Sequence, residues 1–195
     1  DTDPTTTAGF IDLVDTVDWV VCFVPIGERM FVFKERSIWE LEYVGGDKHF
    51  DANMVVDGVG TYSPNAVISL GDEIIFFGTD NVYLFDGVKL TAVGDNIYPW
   101  LYETDERVVS QTYVQRACAT YVEETGEYLL SIPTTSDDLD LLLKYNMIEE
   151  SWTQRDETIT ALGFYSAGTT RVTWTTLKSA GTSWSDWTGS WKSKK

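Results

Sequence analysis

Two stretches of this chain align with each other residue by residue, and together they decide the fold. The first is Gly27-Glu-Arg-Met-Phe-Val-Phe-Lys-Glu-Arg-Ser-Ile-Trp-Glu-Leu41, and the second is Gly71-Asp-Glu-Ile-Ile-Phe-Phe-Gly-Thr-Asp-Asn-Val-Tyr-Leu-Phe85. They align without gaps at an offset of 44 residues, from position 27 to position 71. Each consists of a turn, four apolar residues, a polar turn and an apolar or aromatic strand. A period of roughly 40–50 residues is typical of architectures that stack copies of one small unit.

Further copies of the same pattern follow along the chain. A third begins at Gly126-Glu-Tyr-Leu-Leu-Ser-Ile132 and resumes, after the inserted loop Pro133–Asp140, with Leu141-Leu-Leu-Lys-Tyr-Asn146. A fourth is predicted from Ile159-Thr-Ala-Leu-Gly-Phe-Tyr165 and Arg171-Val-Thr-Trp-Thr-Thr176. The chain is therefore expected to hold three clear units and a possible fourth.

Turn signals divide each unit into four short strands. In the second unit the signals are Leu70-Gly-Asp, Gly78-Thr-Asp-Asn and Asp86-Gly87, the last of which is a strong hairpin signal. The strands predicted between them are Ser63–Leu70, Glu73–Thr79, Asn81–Asp86 and Lys89–Val93. Four-stranded units at this spacing are the signature of a β-propeller.

The apolar runs favour a propeller over a two-sheet sandwich. A half-exposed strand alternates apolar and polar residues, whereas Met30–Phe33, Ile74–Phe77 and Leu141–Leu143 are apolar on both faces. A propeller blade requires this, because its neighbours cover it on either side. The packing residues expected from these runs are Phe31, Phe33, Trp39, Ile75, Phe77, Tyr83, Phe85, Leu130 and Tyr145.

The predicted fold class is all-β, a propeller-like array of four-stranded antiparallel blades that is incomplete or completed by a partner. Helix is expected only at Pro99–Val109, as one short connection. The proposed organisation is an N-terminal arm, four blades and a Trp-rich C-terminal tail, with approximate bounds 1–12, 17–58, 61–97, 115–157, 159–177 and 178–195.

Composition excludes several classes of protein. Of 195 residues, 43% are hydrophobic and 23% charged, as in an ordinary soluble globular domain. The net charge of −17 disfavours binding to nucleic acid or anionic membranes, which depends on Lys and Arg. No apolar run is long enough for a transmembrane helix. Since the chain starts with Asp1, a processed chain or a piece of a longer one is expected.

Catalytic and metal-binding chemistry finds little support in the sequence. Cys22 and Cys118 lie in apolar stretches and are expected to be buried small hydrophobic residues. A disulfide between them is the alternative. With His49 as the single histidine, zinc sites and catalytic triads lack residues. Asp137, Asp138 and Asp140 could bind calcium, but the loop lacks the Gly and terminal Glu of an EF-hand and is interpreted as solvated. No cofactor and no enzyme activity are expected.

The second unit and its surroundings resemble a known group of proteins. The features are Phe33–Trp39, the glycines of Gly58-x-Gly60, and Val67–Gly87 with its Val-Tyr-Leu-Phe-Asp-Gly ending. In addition, Tyr145–Trp152 is similar to the segment that forms the outer strand at the end of a blade in many propellers. Together they resemble the β-propeller structural proteins of tailed bacteriophages, in particular the tail-hub or nozzle components of short-tailed phages. The resemblance covers roughly residues 25–155. Members are usually much longer, so the expectation is a truncated chain, a partial propeller completed by another copy or another protein, or a chain whose other part is missing.

The resemblance implies a non-catalytic part of the virion, located at the tail–portal junction. Expected partners are other copies of the chain in a ring and portal, adaptor or tail proteins, with DNA passing through unbound. An acidic surface would then repel the DNA backbone, although solubility or a high-salt host would explain the charge equally well. This hypothesis expects carboxylates to cluster on the surface that faces the channel.

The C-terminal tail holds the only binding candidates, Trp184, Trp187 and Trp191. The favoured interpretation is that they seal the outer strand of the last blade. Docking to a neighbouring subunit and stacking on sugars are the two alternatives. The second function class is therefore a propeller that recognises a host-surface glycan or protein.

Overall fold

A computed structural model describes residues 13, 15–45, 49–103 and 108–163. The chain divides into two compact units, Asp1–Gly163 and Phe164–Lys195, and the description below concerns the first. The described residues form three four-stranded antiparallel sheets, each in simple meander order. The predicted all-β class and four-stranded units are confirmed. Among the helices of these residues, none is long and apolar enough to span a membrane.

The elements follow one another along the chain without crossover connections. The first sheet holds β1 (Val20–Ile26), β2 (Arg29–Lys34), β3 (Ser37–Gly45) and β4 (His49–Asp57). The central sheet holds β5 (Val67–Ser69), β6 (Ile74–Phe77), β7 (Val82–Phe85) and β8 (Leu90–Ala92). The third sheet holds β9 (Cys118–Val122), β10 (Glu127–Ile132), β11 (Leu139–Asn146) and β12 (Ser151–Ile159). Between them lie α1 (Tyr98–Tyr102) and the 3₁₀ turns Pro64–Ala66 and Val114–Arg116.

The repeated glycines form the first turn of each sheet. Gly27, Gly71 and Gly126 have φ values of 58°, 106° and 65°, a backbone region that residues with a Cβ rarely adopt. The first two turns are also joined directly, because the Gly27 N–H donates to the Gly71 carbonyl at 2.9 Å. The 44-residue repeat thus places equivalent turns of the first and central sheets side by side.

The central sheet is buried on both faces. Side chains along a strand alternate between the two faces, and in β6 all four are buried. Ile74 and Phe76 belong to the core shared with the first sheet, whereas Ile75 and Phe77 belong to the core shared with the third. Edge-to-face ring pairs close the first of these cores, among them Phe33–Phe76 with ring centroids 5.0 Å apart. The prediction of doubly buried hairpins is confirmed here.

All nine packing residues predicted from the sequence are buried, with exposures from 0% to 9%. Eight of them divide between the two cores in the way that strand alternation requires, whereas Trp39 lies on the opposite face of the first sheet. The prediction of the core is therefore confirmed at the level of individual side chains.

Buried or half-buried hydrogen bonds link the sheets across these cores. The Tyr128 hydroxyl donates to the Ala66 carbonyl at 2.9 Å, and the Trp152 Nε1–H donates to the Val93 carbonyl at 2.7 Å. On the other side, Arg29 Nη2 donates to the Gly87 carbonyl at 3.1 Å. Each bond joins a side chain of the first or third sheet to a backbone carbonyl in or next to the central sheet, so the three sheets are fixed relative to one another.

The first strands of the three sheets lie next to each other. β1 contacts β5, and β5 contacts β9. The Ser69 hydroxyl, at the end of β5, donates to the Pro25 carbonyl of β1 at 2.8 Å. The three sheets therefore approach closely along their first strands.

The structure differs from the sequence prediction at several boundaries. Residues 64–66 form a 3₁₀ turn instead of the start of the predicted strand Ser63–Leu70, because Pro64 lacks the N–H that a ladder needs. The helix predicted at Pro99–Val109 is the shorter α1, and the Val109 N–H instead bonds the Leu101 carbonyl. Ile159 ends β12 of the third sheet instead of starting a fourth blade, and residues 160–163 form no strand. The rest of the predicted fourth blade, the arm and the tail lie outside the described residues.

Candidate interaction surfaces

One face of the first sheet points away from the central sheet. Directly paired residues of antiparallel strands point to the same face, so the pairing register assigns every side chain. Phe31, Phe33 and Ile38 pack toward the central sheet. The opposite face, called the outer face below, consists of Phe23, Pro25, Met30, Val32, Trp39, Leu41, Tyr43, Phe50, Ala52 and Met54.

The outer face combines a buried centre with large exposed side chains around it. Val32 and Trp39 are buried. The large exposed members are Tyr43 (70%), Phe23 (60%), Phe50 (45%), Met54 (42%) and Met30 (39%). Contiguous apolar surface of this kind marks interaction sites more often than isolated exposed side chains do.

A buried ammonium group occupies one end of the outer face. Lys34 is 2% exposed and lies next to the Trp39 ring, with its Nζ 5.9 Å from the ring centre. The Nζ donates to the carbonyls of Leu13 and Thr16 at 3.1 and 3.0 Å, and to the Thr16 hydroxyl at 2.6 Å. It also pairs with an Asp18 carboxylate oxygen at 2.9 Å. Four oxygens thus replace the water that a lysine loses on burial.

The carboxylate of Asp18 is held in its charged form. Burial by itself raises the pKa of Asp18, but hydrogen bonds outweigh this and keep the pKa well below its usual range. The donors are the side chains of Thr16, Lys34 and Ser37 and the backbone N–H of Arg36. This network fastens the segment around Thr16 to the first sheet.

Carboxylates at the hairpin turns have structural roles. The Tyr83 hydroxyl donates to Asp80, and the Asn81 side-chain amide donates to Asp95. Asp86 accepts the backbone N–H groups of the two residues at its turn, and these bonds lower the pKa of Asp86. Acidic and amide residues at such positions stabilise the turn geometry itself.

Glu73 is the carboxyl group that differs from this pattern. Burial, and then the nearby charges of Asp72 and Asp86, raise the pKa of Glu73. Its position at the first turn of the central sheet explains both causes, since acidic residues crowd that end of the sheet. Among the described residues, no ion pair joins Glu73 to a cation.

The acidic loop considered for calcium is occupied by contacts within the protein. Asp140 accepts the backbone N–H and the hydroxyl of Thr134 at 2.8 and 2.7 Å. Asp137 pairs with Arg116, and Asp138 lies near the Ser136 hydroxyl. Within the described ranges, no group of three or more His, Cys, Asp or Glu residues is placed to hold a metal ion.

The distribution of acidic residues bears on the DNA hypothesis. The neighbouring strands β1, β5 and β9 contain no Asp or Glu. Among the described residues, carboxylates concentrate in the turns and in the later strands of the first and third sheets, whereas the strands of the central sheet contain none. Any acidic channel would therefore be lined by turns and later strands, and not by the adjacent first strands.

The remaining predicted residues divide into two groups. Cys22 and Cys118 are half-buried free thiols, and burial raises the pKa of Cys22 to about 11. A disulfide between them is therefore not present. Trp184, Trp187 and Trp191 lie outside the described residues.

Comparison with known proteins adds no family assignment. No protein-family model matches this chain. No curated protein matches it either.

Sequence reasoning missed the outer face and the buried lysine. The outer face has a readable signal, because Phe50, Ala52 and Met54 alternate with Asp51 and Asn53 along β4. Such alternation indicates a half-exposed strand. Lys34 has no comparable signal, since its partners lie 16 or more residues earlier in the chain.

Proposed function

We propose that this chain is a non-catalytic structural protein of a bacteriophage virion, a tail hub or nozzle at the tail–portal junction. Its sheets would act as consecutive blades of a propeller-like array that forms part of the DNA passage. The proposal combines the resemblance of the second unit with the packing of the three sheets.

The observation that carries the proposal is the burial of the central sheet on both faces. Each blade of a propeller is covered by the blade before it and the blade after it, and the first strands of successive blades surround the axis. The two cores on either side of β6 and the contacts of β1 with β5 and of β5 with β9 are the arrangement expected of three consecutive blades.

The charge of the chain supports passage of DNA without binding. A net charge of −17 repels the phosphate backbone, and phosphate affinity requires clustered Lys and Arg. Because β1, β5 and β9 contain no Asp or Glu, the carboxylates that face DNA in an assembled passage would be those of the turns and of the later strands of the first and third sheets. The partners in this function are copies of the chain and portal, adaptor or tail proteins, and the location is the phage tail.

Immunogold electron microscopy tests the assignment to the virion. Antibodies against the purified chain are applied to phage particles produced by the source of the sequence. The proposal expects gold at the junction of head and tail. Gold at the tips of tail fibres, or intact particles without gold, would refute a role at the junction.

A second candidate is a binding module for a host-surface glycan or protein, and the exposed aromatic rings favour it. Trp19 is 78% exposed and Tyr43 is 70% exposed, and exposed rings of this kind can stack on sugars. A glycan array separates the two candidates. A binding module should show binding that falls in Tyr43→Ala or in Trp187→Ala, whereas a structural component should bind no oligosaccharide.

A further inference from the structure

We propose that the outer face of the first sheet is a docking surface for the same face of a second copy of this chain. The product is a two-fold symmetric dimer in which two sheets pack face to face. The inference goes beyond the proposed function, because it depends only on the composition and exposure of this face and not on a place in a virion.

The exposed part of the outer face carries no charge, because the ammonium group of Lys34 at its end is buried and paired with Asp18. None of the ten residues of the outer face is Asp, Glu, Lys or Arg, although the chain contains 31 acidic residues. Charged residues of the same strands instead belong to the other face or to its ends, as Glu40 and Arg29 do. The core of a protein interface is typically depleted of charge in this way and enriched in aromatic residues and Met.

The exposed area is sufficient for a specific contact. A large aromatic side chain buries about 150–250 Å² when it is covered completely. With the exposed fractions of its three aromatic and two Met side chains, the face offers about 500 Å². Two such faces remove about 1,000 Å² from water, which is near the lower bound for a specific interface. A dimer of moderate affinity is the consequence.

The identical face is the occupant that avoids burying charge. The turns of the described sheets bear carboxylates, and the face of the third sheet that points away from the central sheet carries the Lys144–Glu127 ion pair at 2.8 Å. Packing an uncharged face against either would remove charged groups from water without giving them new partners, at a large cost. The exposed part of a second outer face brings no charged group into the contact, and a two-fold axis makes the contact closed and self-complementary.

The chain already packs its own sheets by the same chemistry. Phe31 and Phe85 meet edge to face between the first and central sheets, with ring centroids 5.2 Å apart. On the outer face, Tyr43 and Phe50 form a similar ring pair at 5.4 Å, but both are exposed. The exposed part of the outer face, around the buried Val32 and Trp39, is thus built from the same side-chain types as the sheet interfaces within the chain.

Long-range repulsion sets the salt dependence of the dimer. Each copy carries a net charge of −17, so two copies repel one another until salt screens them. Because no ion pair lies within the contact, association should strengthen as the salt concentration rises. An interface built on ion pairs would weaken instead.

The test compares two neighbouring residues of β4 in the full chain. Met54→Glu places a charge on the outer face, and Asn53→Glu places the same charge on the same strand but on the opposite face. Both residues are exposed, so neither change removes a core side chain. Sedimentation equilibrium gives the dimer dissociation constant for each protein at low salt and at about 0.5 M NaCl.

The wild type and Asn53→Glu should dimerise with similar constants, more tightly at high salt. Met54→Glu should dimerise at least about 30-fold more weakly, since the symmetric contact buries the new charge twice. If Met54→Glu disturbs folding, as seen by circular dichroism, Tyr43→Glu replaces it at the most exposed position of the face.

Three outcomes overturn the proposal. One is a wild-type chain that stays monomeric at about 100 μM in high salt, and this outcome counts against the proposal even if the chain binds other proteins. The others are a dimer that Met54→Glu leaves intact and a dimer that both substitutions weaken equally. None of these results changes the immunogold pattern, so the dimer and the virion assignment fail separately.

Discussion

The central and first sheets share one strand order but differ in strand length and burial. The strands of the central sheet have three or four residues, whereas those of the first sheet have six to nine. In β6 all four side chains are buried, while β4 contains only exposed or half-buried ones. A short strand is stable where both faces contribute to a core, because each fully buried side chain adds about 2 kcal/mol.

The first sheet stabilises its outer face by other means. At one end a buried ammonium–carboxylate pair fastens the segment around Thr16, and at the other end apolar side chains remain exposed. The comparison teaches that the repeat specifies the hairpins, whereas the position of a sheet in the stack determines which faces are covered.

The largest expected effect comes from truncating a central side chain. Phe77→Ala should lower the free energy of unfolding by about 3–5 kcal/mol, because it opens a cavity in the core shared with the third sheet. Phe23→Ala, at a side chain that is 60% exposed, should cost less than about 1 kcal/mol. Urea denaturation measures the free energy of unfolding of both variants. Equal losses would contradict the claim that the central sheet is buried on both faces while the first sheet is exposed on one.

The buried ion pair should rank next. Asp18→Asn removes the charge that faces Lys34 and should destabilise the protein by about 3 kcal/mol, because it leaves a buried ammonium group without a counter-ion. Urea denaturation at neutral pH gives the value. Asp15→Asn, at an exposed position nearby, is the control and should change stability by less than about 0.5 kcal/mol.

The same pair predicts a pH dependence. Folding lowers the pKa of Asp18, so its contribution is complete above the usual carboxyl pKa of about 3.9 and is lost as the pH falls further. The difference in stability between wild type and Asp18→Asn should be constant from about pH 7 to pH 5 and shrink below about pH 4. A difference that stays constant down to about pH 2 would contradict the lowered pKa.

A smaller effect is expected from the hydrogen bond between the third and central sheets. Tyr128→Phe keeps the buried ring but leaves the Ala66 carbonyl without its donor. The expected loss is about 1–2 kcal/mol in the free energy of unfolding, measured by urea denaturation. Tyr113→Phe, at an exposed residue, is the matched control, and an equal change in both would show that the bond is not buried.

The smallest effect should come from the ion pair between Arg29 and Glu40. Glu40 accepts two hydrogen bonds from the Arg29 guanidinium, and these bonds are the main reason that the pKa of Glu40 is lowered. The Arg29 side chain is 40% exposed. Glu40→Gln should therefore cost less than about 1 kcal/mol, and added salt should reduce the difference. A loss above about 2 kcal/mol would place this pair among the buried ones.

The sequence was sufficient to predict the hairpins and the cores because both depend on local patterns. Runs such as Ile74–Phe77 show directly that neither face meets water, and glycines at equivalent positions mark the turns. The start of the second unit was predicted less well, since the proline at position 64 competes with the strand pattern around it.

Long-range contacts explain what the sequence did not predict. Lys34 follows three apolar residues at the end of β2 and looks like an ordinary solvated strand end; its burial depends on a segment that precedes the repeat. The exposure of the outer face depends likewise on what lies beyond the sheet, although the alternation in β4 was readable. The Trp residues proposed for binding lie outside the described residues, so their role stays a prediction.

Hydroxyl-radical footprinting tests the central claim most directly, because it reads the solvent exposure of individual side chains. Phe76 and Phe77 are neighbours that point to opposite faces of the central sheet. At protein concentrations below those of dimerisation, both should resist oxidation, while Tyr43 and Met54 of the first sheet react quickly. Oxidation of either Phe76 or Phe77 at the rate of Tyr43 would mean that one face of the central sheet is open to water, and the stacked arrangement would be wrong.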